Sequence, residues 1–592
     1  MIRKVVIPKP FIEGKRNTAG QFQGLEENQM YKKRNILTFA VAFIFAALLW
    51  KAPELKSAGS PAALSGVVSS DAEGPMEGVL VSAKRTDGNI RVTAVSDHSG
   101  RYEFPANRLT PGQYNISIRA VGYDPTVSDE VVTLTAAPAR HDIKLEKTRD
   151  LASQLSSAEW LMSAPGTQED KDELYKCVLC HTATPIVSSK YDAKGWLATI
   201  SRMRNYGPAS EFDKPQILPF HQLNHPGDAA YAKYLSTINL SSKSQWDFPL
   251  KILPRPSGAA TKVIITEYDL PRSDAQPHDA VIDSQGMIWY DDFAEPILGR
   301  LDPRTGKTQE WTLPEIRPNF PSGSLDLELD QQGNPWIARL LQAGIAKFDK
   351  KTGKITSWIL PQQYTNPKSR VPFLALRSDG LVWYVDTWNR TMYLLNPATG
   401  HLDRYPAYPD WVVPAVDMGS GGPGKETHGH FIYGINSDSK GNGYFADMAG
   451  GNIGVIDPKT GKIGLYPTPS FNSGPRRMHF DSDDKLWFAE NYALKIGRFD
   501  PLTKQFQEWA DPTPWDGPYD TVKDAKGFVW TGGMVTDLVT RLNPDTGAIV
   551  QYLLPTLGAN IRRVDVDNAT NPPSFVVGEN HQAKIAIVQP LE

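Results

Sequence analysis

The stretch LWFAENYALKIGRFDPLTK, residues 486–504, carries the pattern that decides the fold of the larger part of this chain. It combines an aromatic residue, Trp487, with a D/N-P-x-T-G type of turn that begins at Asp500. The turn recurs as DPRTG at 302, DKKTG at 349, NPATG at 396, DPKTG at 457 and NPDTG at 543. A matching aromatic residue precedes each of these turns, at Trp289, Trp336, Trp383, Tyr444 and Trp530. Both series advance by 47, 47, 61, 43 and 43 residues.

A repeat of about 40–50 residues with four short strands in each unit is typical of a β-propeller. Six complete units are visible, and the tail at 561–588 supplies three strands of a seventh. The stretch VIITEYDL at 263–270 supplies a strand ahead of the first unit. Pairing that strand with the last three closes the ring and leaves no open sheet edge. We therefore predict a seven-bladed β-propeller over 261–592.

The motif W-F-x-E with IGRFDP at 487–501 resembles the virginiamycin B lyase (streptogramin lyase) propeller family. The resemblance implies that fold, and it implies an activity that depends on a strand-start histidine and on carboxylates that hold a divalent cation. Glu490 matches the family's carboxylate. The strand-start positions of the fourth and fifth units are Tyr433 and Arg476 instead of histidine, whereas His278 retains a P-H motif in the first unit. Arginine is always protonated and cannot act as the base, so streptogramin cleavage is not expected.

Polar and aromatic side chains are predicted to meet where the strands of each unit begin and end. The first strand of a unit begins about eleven residues before its aromatic, and the second ends about three after it. Antiparallel pairing places both positions at the same mouth. The residues that we select at these positions are His278, Tyr433, Arg476, Tyr519, Asp447 and Glu490. We predict a catalytic ring there, with Asp447 and Glu490 holding Mg²⁺ or Ca²⁺, and a hydrated channel is the alternative.

Residues 151–243 are rich in helical patterns and contain the motif CVLCH, which is typical of covalent c-type haem attachment. The segment resembles a small all-α cytochrome c domain. Cys177 and Cys180 would form thioether bonds to the porphyrin, and His181 would be the proximal iron ligand. Zinc is disfavoured because the chain has two cysteines and therefore no second pair to complete a tetrahedral site.

The sixth iron ligand is predicted to be Met203, the methionine between His181 and the propeller. It shares a helical face with Trp196 and Ile200, so core packing is the alternative role. His225 and His221, which precede the last helix of the segment, remain alternative ligands.

Residues 62–147 contain short alternating runs separated by turn residues, which predicts an all-β domain. The stretches SGRYEF at 99–104 and PGQYNISIRAVGY at 111–123 resemble the carboxypeptidase regulatory-like domain, a β-sandwich of the transthyretin type. The resemblance implies a spacer or stabilising module, and the segment contains no cluster of metal-ligating or nucleophilic residues.

The first sixty residues predict a cytoplasmic tail at 1–35 followed by an apolar segment at 36–50. Lys32, Lys33 and Arg34 precede that segment, which indicates that the rest of the chain is exported. We predict an inner-membrane anchor with the bulk of the chain in the periplasm, and a cleaved signal segment is the alternative. The net charge of −3 gives no indication of nucleic-acid binding.

These observations predict a multidomain, mainly β protein that works as an exported, membrane-anchored c-type cytochrome oxidoreductase component. One haem would relay electrons to or from a redox partner protein or a periplasmic small molecule at the propeller mouth, because tethering raises the effective concentration of the two sites. Two alternatives remain open: a streptogramin-lyase-like propeller with an accessory haem, and a non-enzymatic scaffold for a redox partner.

Overall fold

A computed structural model describes residues 62–210, 214–220, 225–241, 243–408 and 429–591. The predicted cytoplasmic tail at 1–35, the predicted anchor at 36–50 and the alternative ligand His221 lie outside these residues. Among the helices that the structure describes, none is both long and apolar enough to cross a membrane.

The first domain is a β-sandwich of ten strands. They are β1 (Ala62–Ser70), β2 (Gly74–Pro75), β3 (Leu80–Arg85), β4 (Ile90–Val95), β5 (Arg101–Pro105), β6 (Gly112–Arg119), β7 (Tyr123–Pro125), β8 (Val131–Leu134), β9 (Ala139–Arg140) and β10 (Ile143–Lys147). One sheet has the order β2-β1-β10-β7, with β5 and β9 also paired to β1, and the other contains β4-β3-β6-β8. Leu64, Val68, Phe104 and Leu145 are buried in its hydrophobic core.

The second segment contains five α-helices within its described part. They are α1 (Ser157–Ser163), α2 (Gln168–Val178), α3 (Thr184–Val187), α4 (Ala193–Met203) and α5 (Asp228–Ile238). Short 3-10 turns lie before and after these helices, at Leu151–Gln154 and Gly258–Thr261. Two more lie in the propeller, at Leu340–Gln342 and Gln362–Tyr364. The starts of α1 and α2 follow from capping boxes, in which Ser156 pairs with Glu159 and Thr167 pairs with Asp170. The helical patterns predicted within residues 151–243 correspond to α2, α4 and α5.

The propeller contains six four-stranded blades that follow one another along the chain. Blade 1 is β12 (Pro277–Ile282), β13 (Ile288–Asp292), β14 (Ile297–Asp302) and β15 (Lys307–Thr312). Blade 2 is β16 (Asp326–Leu329), β17 (Pro335–Arg339), β18 (Gly344–Phe348) and β19 (Ile355–Ile359). Blade 3 is β20 (Leu374–Leu376), β21 (Val382–Asp386), β22 (Thr391–Asn396) and β23 (His401–Pro406).

Blades 4 to 6 have the same four-stranded form. Blade 4 is β24 (Ile432–Ser437), β25 (Gly443–Asp447), β26 (Asn452–Ile456) and β27 (Ile463–Pro467). Blade 5 is β28 (Pro475–Phe480), β29 (Leu486–Glu490), β30 (Lys495–Asp500) and β31 (Gln505–Ala510). Blade 6 is β32 (Pro518–Lys523), β33 (Val529–Gly533), β34 (Leu538–Leu542) and β35 (Ile549–Leu553).

A seventh blade closes the ring with strands from both ends of the propeller sequence. Strands β36 (Ile561–Asp567), β37 (Ser574–Glu579) and β38 (Lys584–Pro590) pair with β11 (Val263–Asp269). The register runs from Val263 opposite Pro590 to Asp269 opposite Lys584. The predicted closure by the first strand is thus confirmed.

The outer edge of blade 7 is covered by the sandwich instead of facing solvent. Strand β11 pairs antiparallel with β4, so that blade and sandwich form one eight-stranded sheet. Arg91 on β4 also forms an ion pair with the buried Glu267 of β11, at 2.9 Å. Pairing removes an exposed strand edge, which is the general hazard of open sheets.

The repeated aromatic residues are the packing centres of the blades. Trp289, Trp487 and Trp530 are buried, and each indole N–H donates to an aspartate six residues earlier, at 2.8 to 3.0 Å. A buried indole needs a hydrogen-bond partner, and the turn that precedes the strand supplies it. This pairing explains why the aromatic recurs at a fixed distance within the repeat.

Candidate functional site

The mouth of the propeller is built by a bulge at the start of the inner strand in five blades. The register shifts there in blades 1, 4, 5, 6 and 7. A bulge turns two consecutive residues toward one side of a sheet, where a regular strand would alternate them. The channel therefore has two layers. The first residues of the bulges form the mouth layer, and the second residues form the inner layer.

The mouth layer consists of the first residue of each bulge. Its members are His278, Tyr433, Arg476, Tyr519 and Arg562. The four of these that we selected from the sequence, His278, Tyr433, Arg476 and Tyr519, are therefore brought together by the fold. All are buried.

A hydrogen-bond chain runs through the mouth layer. The hydroxyl groups of Tyr433 and Tyr519 lie 2.7 Å apart, and the Tyr519 hydroxyl lies 3.1 Å from Nε2 of His278. Nδ1 of His278 lies 2.6 Å from the Asp279 carboxylate. Burial lowers the pKa of His278 to about 3, so its ring is neutral at pH 7. Neutral His278 thus donates from Nδ1 to Asp279 and accepts from Tyr519 at Nε2.

The two arginines of the mouth layer lie against aromatic rings. The Arg476 guanidinium is 4.2 Å from the ring centre of Tyr519 and 4.9 Å from that of Tyr433. Arg562 lies 4.7 Å from the ring centre of Phe293 and donates to Oδ1 of Asn560 at 2.7 Å. Contacts of this kind are cation–π interactions, which partly replace the water that a buried guanidinium loses.

The inner layer is a network of ion pairs that join opposite blades. Arg477 donates to both carboxylate oxygens of Asp279, at 2.8 and 3.1 Å, and also contacts Asp326. Arg563 donates to Asp326 at 3.2 Å and to Glu328 at 2.7 Å. Residues of blades 1, 2, 5 and 7 thus neutralise one another across the channel.

A cluster of metal-ligating side chains lies in blade 1. The ligand atoms of His278, Asp279 and Asp291 all lie within 4.8 Å of one another. Among the described residues, no other group of three metal-ligating side chains lies as close together. Asp279 is already bound by His278 and Arg477. Burial, reinforced by the neighbouring Asp279, raises the pKa of Asp291 well above its usual value. The arrangement is therefore that of an ion-pair network instead of an open cation site.

The two carboxylates predicted to hold a cation occupy separate surroundings, and neither belongs to that cluster. Asp447 accepts from the backbone N–H groups of Phe431 and Gly450, both at 3.0 Å, and from the Tyr408 hydroxyl at 2.6 Å. It therefore stabilises the turn after β25. Glu490 lies near Glu508, and burial together with that carboxylate raises the pKa of Glu490 to about 8. Their joint role as a cation site stays a prediction.

The helical segment covers the mouth of the propeller. The backbone N–H of Ala158 donates to the carbonyl of Val535 at 2.9 Å, and the Tyr175 hydroxyl donates to Oδ1 of Asn491 at 3.2 Å. Helix α2, which bears the first cysteine, ends at Val178. Nη2 of Arg562 donates to the carbonyl of Leu179, between the two cysteines, at 3.1 Å. The C-V-L-C-H segment thus lies directly against the mouth layer.

The residues of this segment fit a covalently attached haem. The two cysteines are not joined in a disulfide, and Cys180 is exposed. Nδ1 of His181 lies 2.8 Å from the Thr182 carbonyl, so this nitrogen donates and Nε2 is left as the ligand atom, as in other metal-binding histidines. Burial raises the pKa of Cys177 to about 11, so its thiol is protonated, which disfavours a thiolate redox site.

The residues considered for the sixth ligand position differ in exposure. Met203 is 37% exposed at the end of α4, whereas Trp196 on the same helix is buried. The Met203 side chain is thus partly exposed, and core packing stays an alternative role for it. His225 is exposed, and its backbone N–H donates to Asp228 at 2.9 Å. The identity of the sixth ligand stays a prediction.

Sequence reasoning missed the inner layer. Regular alternation places the residue after each mouth position on the opposite face of the strand. Asp279, Arg477 and Arg563 were therefore not selected as channel residues. The doublets Arg476-Arg477 and Arg562-Arg563, both at the start of inner strands, were the available signal. Two charged residues in succession at a buried strand start indicate a bulge.

Comparisons with known proteins agree with the two β domains. The virginiamycin B lyase family matches residues 425–571, and the carboxypeptidase regulatory-like domain matches residues 63–146. Neither match extends over the helical segment. The chain is a mainly β, multidomain protein with a carboxypeptidase regulatory-like sandwich and a virginiamycin B lyase-like propeller.

Two of the solved structures that are similar to this chain are lyases. Virginiamycin B lyase from Staphylococcus aureus is 21% identical with a TM-score of 0.46, over 55% of this chain and 98% of that one. A streptogramin B lyase is 23% identical with a TM-score of 0.47, over 56% of this chain and 100% of that one. No curated protein matches the chain.

Proposed function

We propose that this protein is an exported c-type cytochrome in which a single haem is attached beside a binding site at the propeller mouth. The observation that carries the proposal is the contact between the C-V-L-C-H segment and the mouth layer, where Arg562 donates to the carbonyl of Leu179 at 3.1 Å. A binding surface and a covalent attachment motif that touch one another indicate one combined site.

Three residues would hold the haem. Cys177 and Cys180 would form the thioether bonds, and Nε2 of His181 would bind the iron while Nδ1 stays on the Thr182 carbonyl. When bound, the haem supplies one-electron transfer. The exposed position of Cys180 leaves one side of the segment open to a redox partner protein or to a periplasmic small molecule.

The mouth layer would bind and orient the partner or small molecule. Tyr433, Tyr519, neutral His278 and Asp279 form a continuous hydrogen-bond chain that can hold or accept a proton at a buried position. Proton movement of this kind often accompanies electron transfer because it avoids leaving an uncompensated buried charge.

Haem attachment is tested on the full chain, produced in a host that attaches c-type haem. We expect a mass increase of one haem, a c-type absorption spectrum that survives denaturation, and cysteines that resist alkylation. Cys177→Ser with Cys180→Ser should abolish the mass increase and the absorption spectrum, and Cys177→Ser alone should leave a single thioether bond. A colourless chain at its bare mass, with both thiols alkylated, would refute the proposal.

A second candidate function, a lyase, is favoured by the family match over residues 425–571 and by Glu490. Burial raises the pKa of this carboxyl to about 8, so it is protonated at neutral pH and can act as an acid. Against it, Arg476 occupies the place of a base, and its pKa is raised above the usual value.

The lyase candidate is tested with virginiamycin B as substrate and Mg²⁺ as the added ion. Ring opening that is lost in Glu490→Gln and retained in Glu315→Gln, an exposed control, would support it. Absence of ring opening would refute the lyase candidate, and an equal rate of ring opening in both variants would show that Glu490 is not its acid.

A further inference from the structure

We infer that Arg476 and Arg562 form a binding site for a carboxylate group at the seam between the helical segment and the propeller. The inference rests on the proposed binding role of the mouth, but it does not depend on the presence of haem. Its basis is a contrast in charge between the two layers of the channel.

The two arginine doublets differ in their partners. In the inner layer, Arg477 and Arg563 are surrounded by Asp279, Asp326 and Glu328, so their charges are neutralised. In the mouth layer, neither Arg476 nor Arg562 has a carboxylate partner among the residues that the structure describes. The fold therefore balances one pair of cations and leaves the neighbouring pair unbalanced.

The unbalanced pair is deeply buried. Arg476 is 3% exposed and Arg562 is 4% exposed, and Nε of Arg476 has no hydrogen-bond partner among the described residues. The other contacts of Arg476 are the Met534 sulfur at 3.1 Å and the Tyr433 hydroxyl at 3.4 Å. A buried charge without a counterion is costly, and two such charges near one another repel.

The surroundings favour an anion with a planar carboxylate. A guanidinium presents its donors in a fork that matches two carboxylate oxygens. The Tyr433 hydroxyl accepts from the same guanidinium at 3.4 Å, and the Tyr519 ring lies against it, so both side chains hold the fork in position. The exposed Cys180 lies near Arg562.

Two sources can supply this carboxylate. One is a free organic acid bound as a ligand, and the other is a propionate of a haem attached at Cys177 and Cys180. The chemistry of recognition is the same, so the experiment must separate the two. A chain with Cys177→Ser and Cys180→Ser keeps the arginines but cannot attach haem.

The probe is malonate, measured by calorimetric titration and by the thermal unfolding temperature, against sodium chloride of equal ionic strength. We expect malonate to bind the haem-free chain and to raise its unfolding temperature, since a ligand that binds the folded state stabilises it. Arg476→Met or Arg562→Met should weaken binding by about tenfold or more. The control Arg498→Met removes an equal charge from an outer strand and should leave binding unchanged.

The two sources give different results in the haem-loaded chain. Malonate binding to both forms indicates a free acid, whereas binding to the haem-free form alone indicates that a propionate fills the site. If Arg476→Met does not fold, Arg476→Lys replaces it in the binding measurement, because lysine keeps the charge but lacks the bidentate donors of the guanidinium. Absence of malonate binding to the haem-free chain, or binding unaffected by both arginine substitutions, would overturn the inference. Haem loading is measured separately by absorption, so either proposal can fail alone.

Discussion

Removal of Arg477 should destabilise the propeller far more than removal of its neighbour Arg476. Arg477 makes two hydrogen bonds to Asp279, contacts Asp326 and lies 3.8 Å from Asp520. Arg477→Met would leave these three buried carboxylates with Arg563 as the remaining guanidinium nearby. Breaking a buried ion pair by removing one partner typically costs about 3–5 kcal/mol. We expect a loss of this size for Arg477→Met.

Arg476→Met removes the same chemical group from the adjacent position but leaves no carboxylate behind. Its cost is limited to contacts with Tyr433, Tyr519 and Met534, and the relief of an unbalanced buried charge offsets that cost. We therefore expect a much smaller loss, or a gain, of unfolding free energy. The two buried arginines thus form a matched pair of variants.

The assay is urea unfolding followed by tryptophan fluorescence, which reports on the buried blade residues such as Trp487 and Trp530. Arg477→Lys is the control, because it retains the charge without the bidentate fork and should give an intermediate loss. Equal losses in Arg477→Met and Arg476→Met would show that the division into balanced and unbalanced layers is wrong.

Three further changes test other parts of the fold. Glu490 has a folded-state pKa of about 8 because of burial, so the folded state keeps a proton that the unfolded state loses. Wild-type stability should therefore fall as pH rises from about 4.5 to about 8 relative to Glu490→Gln, and parallel unfolding curves across this range would contradict the assignment. His278 has a folded-state pKa of about 3, so its contribution should be lost as pH falls below about 6.5. His278→Gln should reduce this loss in the same unfolding assay, and an unchanged acid limb would argue against a buried neutral imidazole. Gly434→Ala places a Cβ 2.9 Å from Cα of Arg477 and still closer to the carbonyl of Arg476, which forces blades 4 and 5 apart. We expect a cost of about 1–3 kcal/mol in urea unfolding, and Gly227→Ala, where the added Cβ meets no neighbour and φ is −79°, controls for the loss of glycine itself.

Much of the fold and part of the site could be predicted from the sequence. The spacing between Trp487 and the turn at Asp500 repeats along the chain because the same local packing arrangement is repeated in each blade. The closure through β11 follows from counting strands. His278, Tyr433, Arg476 and Tyr519 were predicted at one mouth because antiparallel pairing sets the ends of neighbouring strands side by side.

The cation site predicted at Asp447 and Glu490 shows what strand position alone does not determine. Strand ends are adjacent in all blades, but the direction of a side chain depends on its neighbours. Asp447 turns to backbone N–H groups, where it accepts from Gly450 in its own loop and from Phe431 just before β24. Glu490 lies beside Glu508. Shared position at a mouth therefore does not establish shared coordination.

The sequence by itself determined the blades, the order of the domains and the C-V-L-C-H motif, since each of these depends on residues close together in the chain. Tertiary structure alone decided that four of the five bulges turn a second set of charges into the channel. It also decided that β4 joins blade 7 and that Leu179 meets Arg562. Contacts of this kind join residues hundreds of positions apart, and their geometry depends on the packing of whole domains instead of any local pattern.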